Sequence, residues 1–154
     1  GWINDKPCGE LKYYDENKKL SVYHTYDILG DKFYLSHYDP SGKVSKSDGY
    51  VFSDHTYTHD TDNDSTELLK TGKTYKSIKD LYVTVANPPQ STTEIQIMIN
   101  NKLRQDLIFP DDNTIIIKNA FNSKGLYKIS IDGFFVEKSH AVNHTSGELT
   151  ITKE

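Results

Sequence analysis

Apolar and polar residues alternate along most of this chain, a period of two that predicts short half-buried strands. The second half shows it most cleanly. Leu81, Val83 and Val85 fall on one face of a segment that Asn87-Pro88-Pro89 stops. Ile95, Ile97 and Ile99 fall on one face of the next, and Asn100-Asn101 turns the chain into Leu103–Phe109. Ile115-Ile116-Ile117 is a continuous apolar run, as expected for a strand covered on both sides. Tyr127, Ile129 and Ile131 again share a face, and Phe134–Glu137 and Glu148–Thr152 complete the series. Gly, Pro, Asn and Asp clusters separate these runs about every ten residues, the pattern of a β-sandwich or barrel.

The first half carries a repeat. Leu11–Val22 returns in weaker form at Leu35–Lys46, an offset of 24 that sets Tyr14-Asp15 on Tyr38-Asp39 and Lys19-Leu20 on Lys43-Val44. Polar residues between two alternating stretches predict a tight turn between antiparallel strands. The strands expected are Leu11–Asp15, Lys19–Tyr26, Lys32–Asp39 and Lys43–Phe52, with a turn at Gly30-Asp31. Ser53–Thr66 is the most polar stretch and reads as a boundary, and Glu67–Asp80 as opening with a short helical turn. The fold class is therefore all-β: an antiparallel β-sandwich-like domain with an N-terminal β-hairpin repeat sheet. Its parts are an arm at 1–10, the hairpin sheet at 11–53 and a sandwich-like half at 67–154, making one compact unit.

The motif Tyr38-Asp39-Pro40-Ser41-Gly42-Lys43-Val44 resembles the Tyr-Asp (YD-type) repeats, and the related membrane-occupation-type variants, of bacterial surface proteins. The first copy departs from that pattern, with Lys18 where glycine belongs. The resemblance covers residues 11–46. It implies an extracytoplasmic sheet of stacked hairpins and no catalytic function.

Composition narrows the functions. Only 35% of the 154 residues are hydrophobic, a thin core that eleven tyrosines extend by burying rings while keeping hydroxyls near water. A net charge of −4 without a dense basic run argues against nucleic acid as a partner. No apolar stretch is long enough for a transmembrane helix. One cysteine, Cys8, precludes an internal disulfide; in an envelope lipoprotein it would be the acylated residue. Tyr, Thr, Asn and Asp richness suits a bacterial envelope or secreted protein.

Candidate chemistry is sparse. Tyr23, Tyr26, Tyr34 and Tyr38 are expected on an exposed face opposite Leu20, Val22, Phe33 and Leu35, a surface for a protein or glycan partner. Asp60, Asp62, Asp64 and Glu67 have the alternating oxygen spacing of a calcium loop. Ser65 at the sixth position and Thr71 at the twelfth exclude a standard EF-hand. His55 and His59, four residues apart on one face of an extended segment, could share a zinc ion with a carboxylate or serve a hydrolase beside an acidic partner. No Gly-x-Ser-x-Gly elbow and no phosphate loop occur. The reading this supports is a non-enzymatic binding module without a cofactor, calcium being the one candidate. A calcium-dependent ligand or membrane-surface binder and a His/Asp hydrolase are the alternatives.

Overall fold

The computed structural model describes residues 2–3, 6–7, 9–137 and 141–154. Cys8 lies outside them. Trp2–Ile3 (β1) and Lys6–Pro7 (β2) pair with each other. Gly9–Tyr14 (β3), Leu20–Tyr26 (β4), Lys32–Tyr38 (β5) and Val44–Gly49 (β6) then form a four-stranded antiparallel meander. Beyond a linker come Tyr57–Asp60 (β7), Ser65–Leu68 (β8), Thr74–Tyr75 (β9), Leu81–Thr84 (β10) and Ser91–Ile99 (β11). Lys102–Leu103 (β12), Leu107–Asp111 (β13), Thr114–Ile117 (β14), Gly125–Glu137 (β15) and Ala141–Lys153 (β16) follow. They make two five-stranded sheets, ordered β13-β14-β10-β7-β8 and β12-β11-β15-β16-β9. The all-β, sandwich-like class read from the sequence is the class observed, with no helix among the described residues.

The inward residues are those the alternation picks out. Leu81, Val83, Ile115 and Ile117 from one sheet meet Ile97, Ile129, Ile131 and Ile151 from the other in a single buried cluster. Ile116, 9% exposed, is covered as well, so the triple-isoleucine run is buried on both faces. Each isoleucine or leucine so covered contributes about 1.5–3 kcal/mol, which lets a chain low in hydrophobic residues hold together.

Three features depart from the sequence reading. Glu67–Asp80 has no helical turn, because Glu67 and Leu68 pair in β8 with Thr58 and Tyr57. The polar stretch that reads as a boundary holds most of a hairpin, β7–β8, joined to the sandwich by Tyr82 opposite Tyr57. Thr56 and Thr58 face inward there, and β-branched threonine is at home in a strand despite its hydroxyl.

The third departure concerns the tyrosines. Tyr23, Tyr34 and Tyr38 are 0%, 5% and 7% exposed, so the face expected to be open is the one packed on the sandwich. The Tyr23 hydroxyl accepts the Asn87 N–H at 2.9 Å, and Tyr38 donates to the Pro89 carbonyl at 3.3 Å. The Tyr34 ring meets Phe135 edge-on at 4.8 Å between centroids. Burial pushes the Tyr23 phenol up to about 12. Of the four candidates only Tyr26 lies on the outer face, where it flanks His24 in a row with Tyr13. Tyrosine wins the inner face because its ring fills the inter-sheet space while its hydroxyl reaches loop backbone beyond.

The linker between sheet and sandwich docks by shape. An added Cβ on Gly133 would lie 2.8 Å from Ile95, 2.9 Å from Val51 and 3.1 Å from Phe52. Val51 and Phe52 therefore occupy a hollow that only glycine leaves open. The backbone N–H of Ser53 donates to Thr84 and that of Ala86 to Val51, tying the linker to the end of β10.

Candidate functional site

The repeat that sets up the site has a period of twelve, not 24. Tyr14-Asp15, Tyr26-Asp27 and Tyr38-Asp39 each close a strand, and each aspartate opens the same five-residue turn. Its N–H donates to the carbonyl four residues on, and its carbonyl accepts the N–H three residues on. The fourth position takes positive φ: 62° at Lys18, 79° at Gly30 and 87° at Gly42. Each aspartate Oδ1 also accepts the N–H groups two and four residues on, at 2.8–3.0 Å. This is the side-chain-stabilised turn that Asp favours, with left-handed φ where Gly is cheapest. The repeated Tyr-Asp motif therefore corresponds to repeated local geometry.

In a meander successive turns alternate ends, so the first and third lie together, where the Lys19 ammonium donates to the Pro40 carbonyl at 3.2 Å. Both face solvent. Asp39 is held below the usual carboxylate range by the Ser41 hydroxyl and the Lys43 amide. The middle turn sits at the other end, against the linker, and there Asp27 is 2% exposed. Its spare Oδ2 accepts the Ser53 hydroxyl at 2.9 Å and faces His55 Nδ1 at 2.7 Å. Ser53 Oγ in turn accepts the His55 backbone N–H at 3.0 Å, so one hydroxyl locks carboxylate and linker together. Asp31 Oδ2 stands 3.9 Å from the same Nδ1, and Asp54 Oδ1 3.8 Å from Nε2. Asp27, Asp31 and His55 form a group whose donor atoms are spaced so that they could hold a metal ion.

These residues line a cleft of about 970 Å³ between the hairpin sheet and the sandwich. Lys32, Asp48 and Tyr50 come from one side, Lys70, Thr71 and Glu148 from the other, and Ile129, Ile131 and Leu149 also line it. Tyr50 is 62% exposed.

The calcium-loop residues are not brought together. Asp60 caps its own hairpin turn, accepting the N–H groups of Asp62 at 2.9 Å and Asn63 at 3.1 Å. Asp62 takes the Ser77 hydroxyl, Asp64 pairs with His59 at 2.9 Å, and Glu67 pairs with Lys73 at 3.2 Å. A hairpin splays carboxylates that a wrapped loop would have gathered, so the oxygen spacing has a different use here. His55 and His59 likewise go to separate carboxylates, Asp27 and Asp64. Sequence reasoning passed over Asp27, Asp31 and Ser53. The available signal was the middle Tyr26-Asp27 copy with Gly30 in register, which an offset of 24 steps over.

No protein-family model, no curated protein and no solved structure matches this chain. Among the described residues no helix is long and apolar enough to cross a membrane.

Proposed function

We propose that this chain is a non-catalytic binding module of a bacterial envelope or secreted protein, and that the cleft beside Asp27 and His55 receives a glycan. The observation that carries this reading is the cleft's composition. An exposed aromatic ring, Tyr50, shares it with the carboxylates of Asp31, Asp48, Asp54 and Glu148 and with two lysines. Sugars stack an apolar C–H face on an aromatic ring and direct hydroxyls at charged acceptors, so this mixture of groups suits them. The Asp27–Ser53–His55 network, buried at Asp27 and Ser53, keeps the base of the cleft rigid, which lowers the ordering cost of binding. The YD-type turns and the tyrosine-, threonine- and asparagine-rich composition support the extracytoplasmic assignment.

A protein partner is the second reading, favoured by the outer row of Tyr13, His24 and Tyr26. Its rings lie 5.4 and 6.1 Å apart, and Tyr13 is 47% exposed. A glycan array followed by calorimetry, with sugar release monitored in the same samples, separates the cases. The cleft reading expects retention of a glycan without hydrolysis and at least tenfold weaker binding in Tyr50→Ala. An array without any retained sugar, or a Tyr50→Ala protein binding as wild type, would refute it. Released sugar that disappears in His55→Ala would instead establish a hydrolase.

A further inference from the structure

The three aspartate turns act as an internal control on one another. Their backbones are alike, yet the fifth position is Lys19 in the first, Lys43 in the third and Asp31 in the middle one. A lysine beside the capping carboxylate is the electrostatically easy choice, and the two solvent-facing turns make it. The middle turn places a second acid near a buried one, and adds a third carboxylate, Asp54, on the far side of the same imidazole. Among the described residues neither Asp27 nor Asp31 makes an ion pair with lysine or arginine. Asp31 and Asp54 reach solvent, but Asp27 is buried, and a buried carboxylate with like charges beside it is costly unless a cation joins them.

We infer that Asp27, Asp31 and His55 form a binding site for a divalent transition metal of the zinc class. The donor atoms are one imidazole nitrogen and two carboxylate oxygens, a set that suits zinc and its neighbours and disfavours calcium, which takes six to eight oxygens. Tetrahedral ligands about 2.0–2.1 Å from zinc lie about 3.3 Å from one another. The His55 Nδ1 separations of 2.7 Å to Asp27 and 3.9 Å to Asp31 bracket that value. Asp27 is already oriented by the Leu29 and Asp31 amides on one oxygen and the Ser53 hydroxyl on the other. Asp31, 64% exposed at its side chain, is free to swing in and close the set. Three protein ligands facing a cleft leave a coordination position open to water or to a bound hydroxyl group. The site needs no glycan and stands or falls separately from the function proposed above.

The test is titration of the chelator-treated protein with zinc chloride alone, read by calorimetry and by the ring resonances of the histidines. Expected are one zinc per chain, a selective shift of the His55 ring and no heat with calcium at the same concentration. His55→Ala and Asp31→Lys should each weaken zinc binding at least a hundredfold. Asp31→Lys installs the residue that the two sister turns already carry, so it keeps the fold even if His55→Ala does not. His59→Ala and His144→Ala remove the other two histidine–aspartate pairs among the described residues and should change the affinity less than twofold. Absence of zinc binding by wild type overturns the inference. Binding that survives Asp31→Lys, or a ring shift at His59 or His144 in place of His55, overturns it equally.

Discussion

Replacing the capping aspartate by alanine in each of the three turns subjects one backbone motif to three environments. In the first turn Asp15 Oδ1 accepts the Asn17 and Lys19 amides at 2.8 and 2.9 Å, both at the surface. Water takes over those donors, so Asp15→Ala costs about 1 kcal/mol, the usual net worth of such capping bonds. Asp39→Ala ranks with it. Asp27→Ala strips four partners at once: the Leu29 and Asp31 amides, the Ser53 hydroxyl and the His55 ring. Ser53 is 1% exposed, and a buried donor left without an acceptor costs about 1–3 kcal/mol. Water entering from the cleft relieves the partly exposed members, which leaves about 3–5 kcal/mol in total. Asp27→Asn keeps an oxygen for the two amides and should recover about half of the loss. Urea unfolding in chelator, with free-energy differences taken from midpoints at constant slope, provides the measurement. If Asp27→Ala were no more damaging than Asp15→Ala, the middle aspartate would not be the buried anchor described above.

Stability should also fall in alkali because of Tyr23. Its folded pKa of about 12 lies above the ordinary 10, so the folded protein keeps a proton that the unfolded chain has released. That contribution is complete below pH 10 and is lost as pH climbs to about 12, about 3 kcal/mol in all at 1.4 per unit. Tyr23→Phe should lessen the alkaline slope of unfolding free energy by one proton between pH 10 and 12; an unchanged slope would show the ring to be solvated. Gly133→Ala should cost about 1–3 kcal/mol through overpacking, since its Cβ meets Val51 and Phe52 at 2.9 and 3.1 Å. Pairing it with Val51→Ala should relieve part of that loss in a double-mutant cycle, and strict additivity would argue against the contact.

Much of the fold is legible in local pattern. The alternation at Leu81–Val85, Ile95–Ile99 and Tyr127–Ile131 identifies both strands and inner faces, because each has one apolar set and one polar set. The Tyr-Asp turns are legible for a related reason: Asp and Gly impose their geometry within five residues, whatever surrounds them. The hairpin at Tyr57–Leu68 is harder to read, since its inward residues are threonines and its apolar content is low. In β4 the two faces are Tyr23 and Thr25 against Val22, His24 and Tyr26, each partly apolar and partly polar. No period can choose between faces so evenly matched. The choice belongs to the sandwich, whose Phe135, Asn87 and Pro89 offer contacts that only the Tyr23–Tyr38 side can meet.

The site is further still from local reading. Asp27 and Asp31 belong to one hairpin, while Ser53 and His55 belong to the linker more than twenty residues on. Side-chain alternation and turn chemistry act over a few residues, and they settled that this chain would be a set of strands with aspartate-capped turns. Which of three equivalent turns would be buried, and which histidine would meet it, depended on Val51 and Phe52 seating in the hollow at Gly133. That packing joins distant segments, so its outcome is written in no single stretch of the chain.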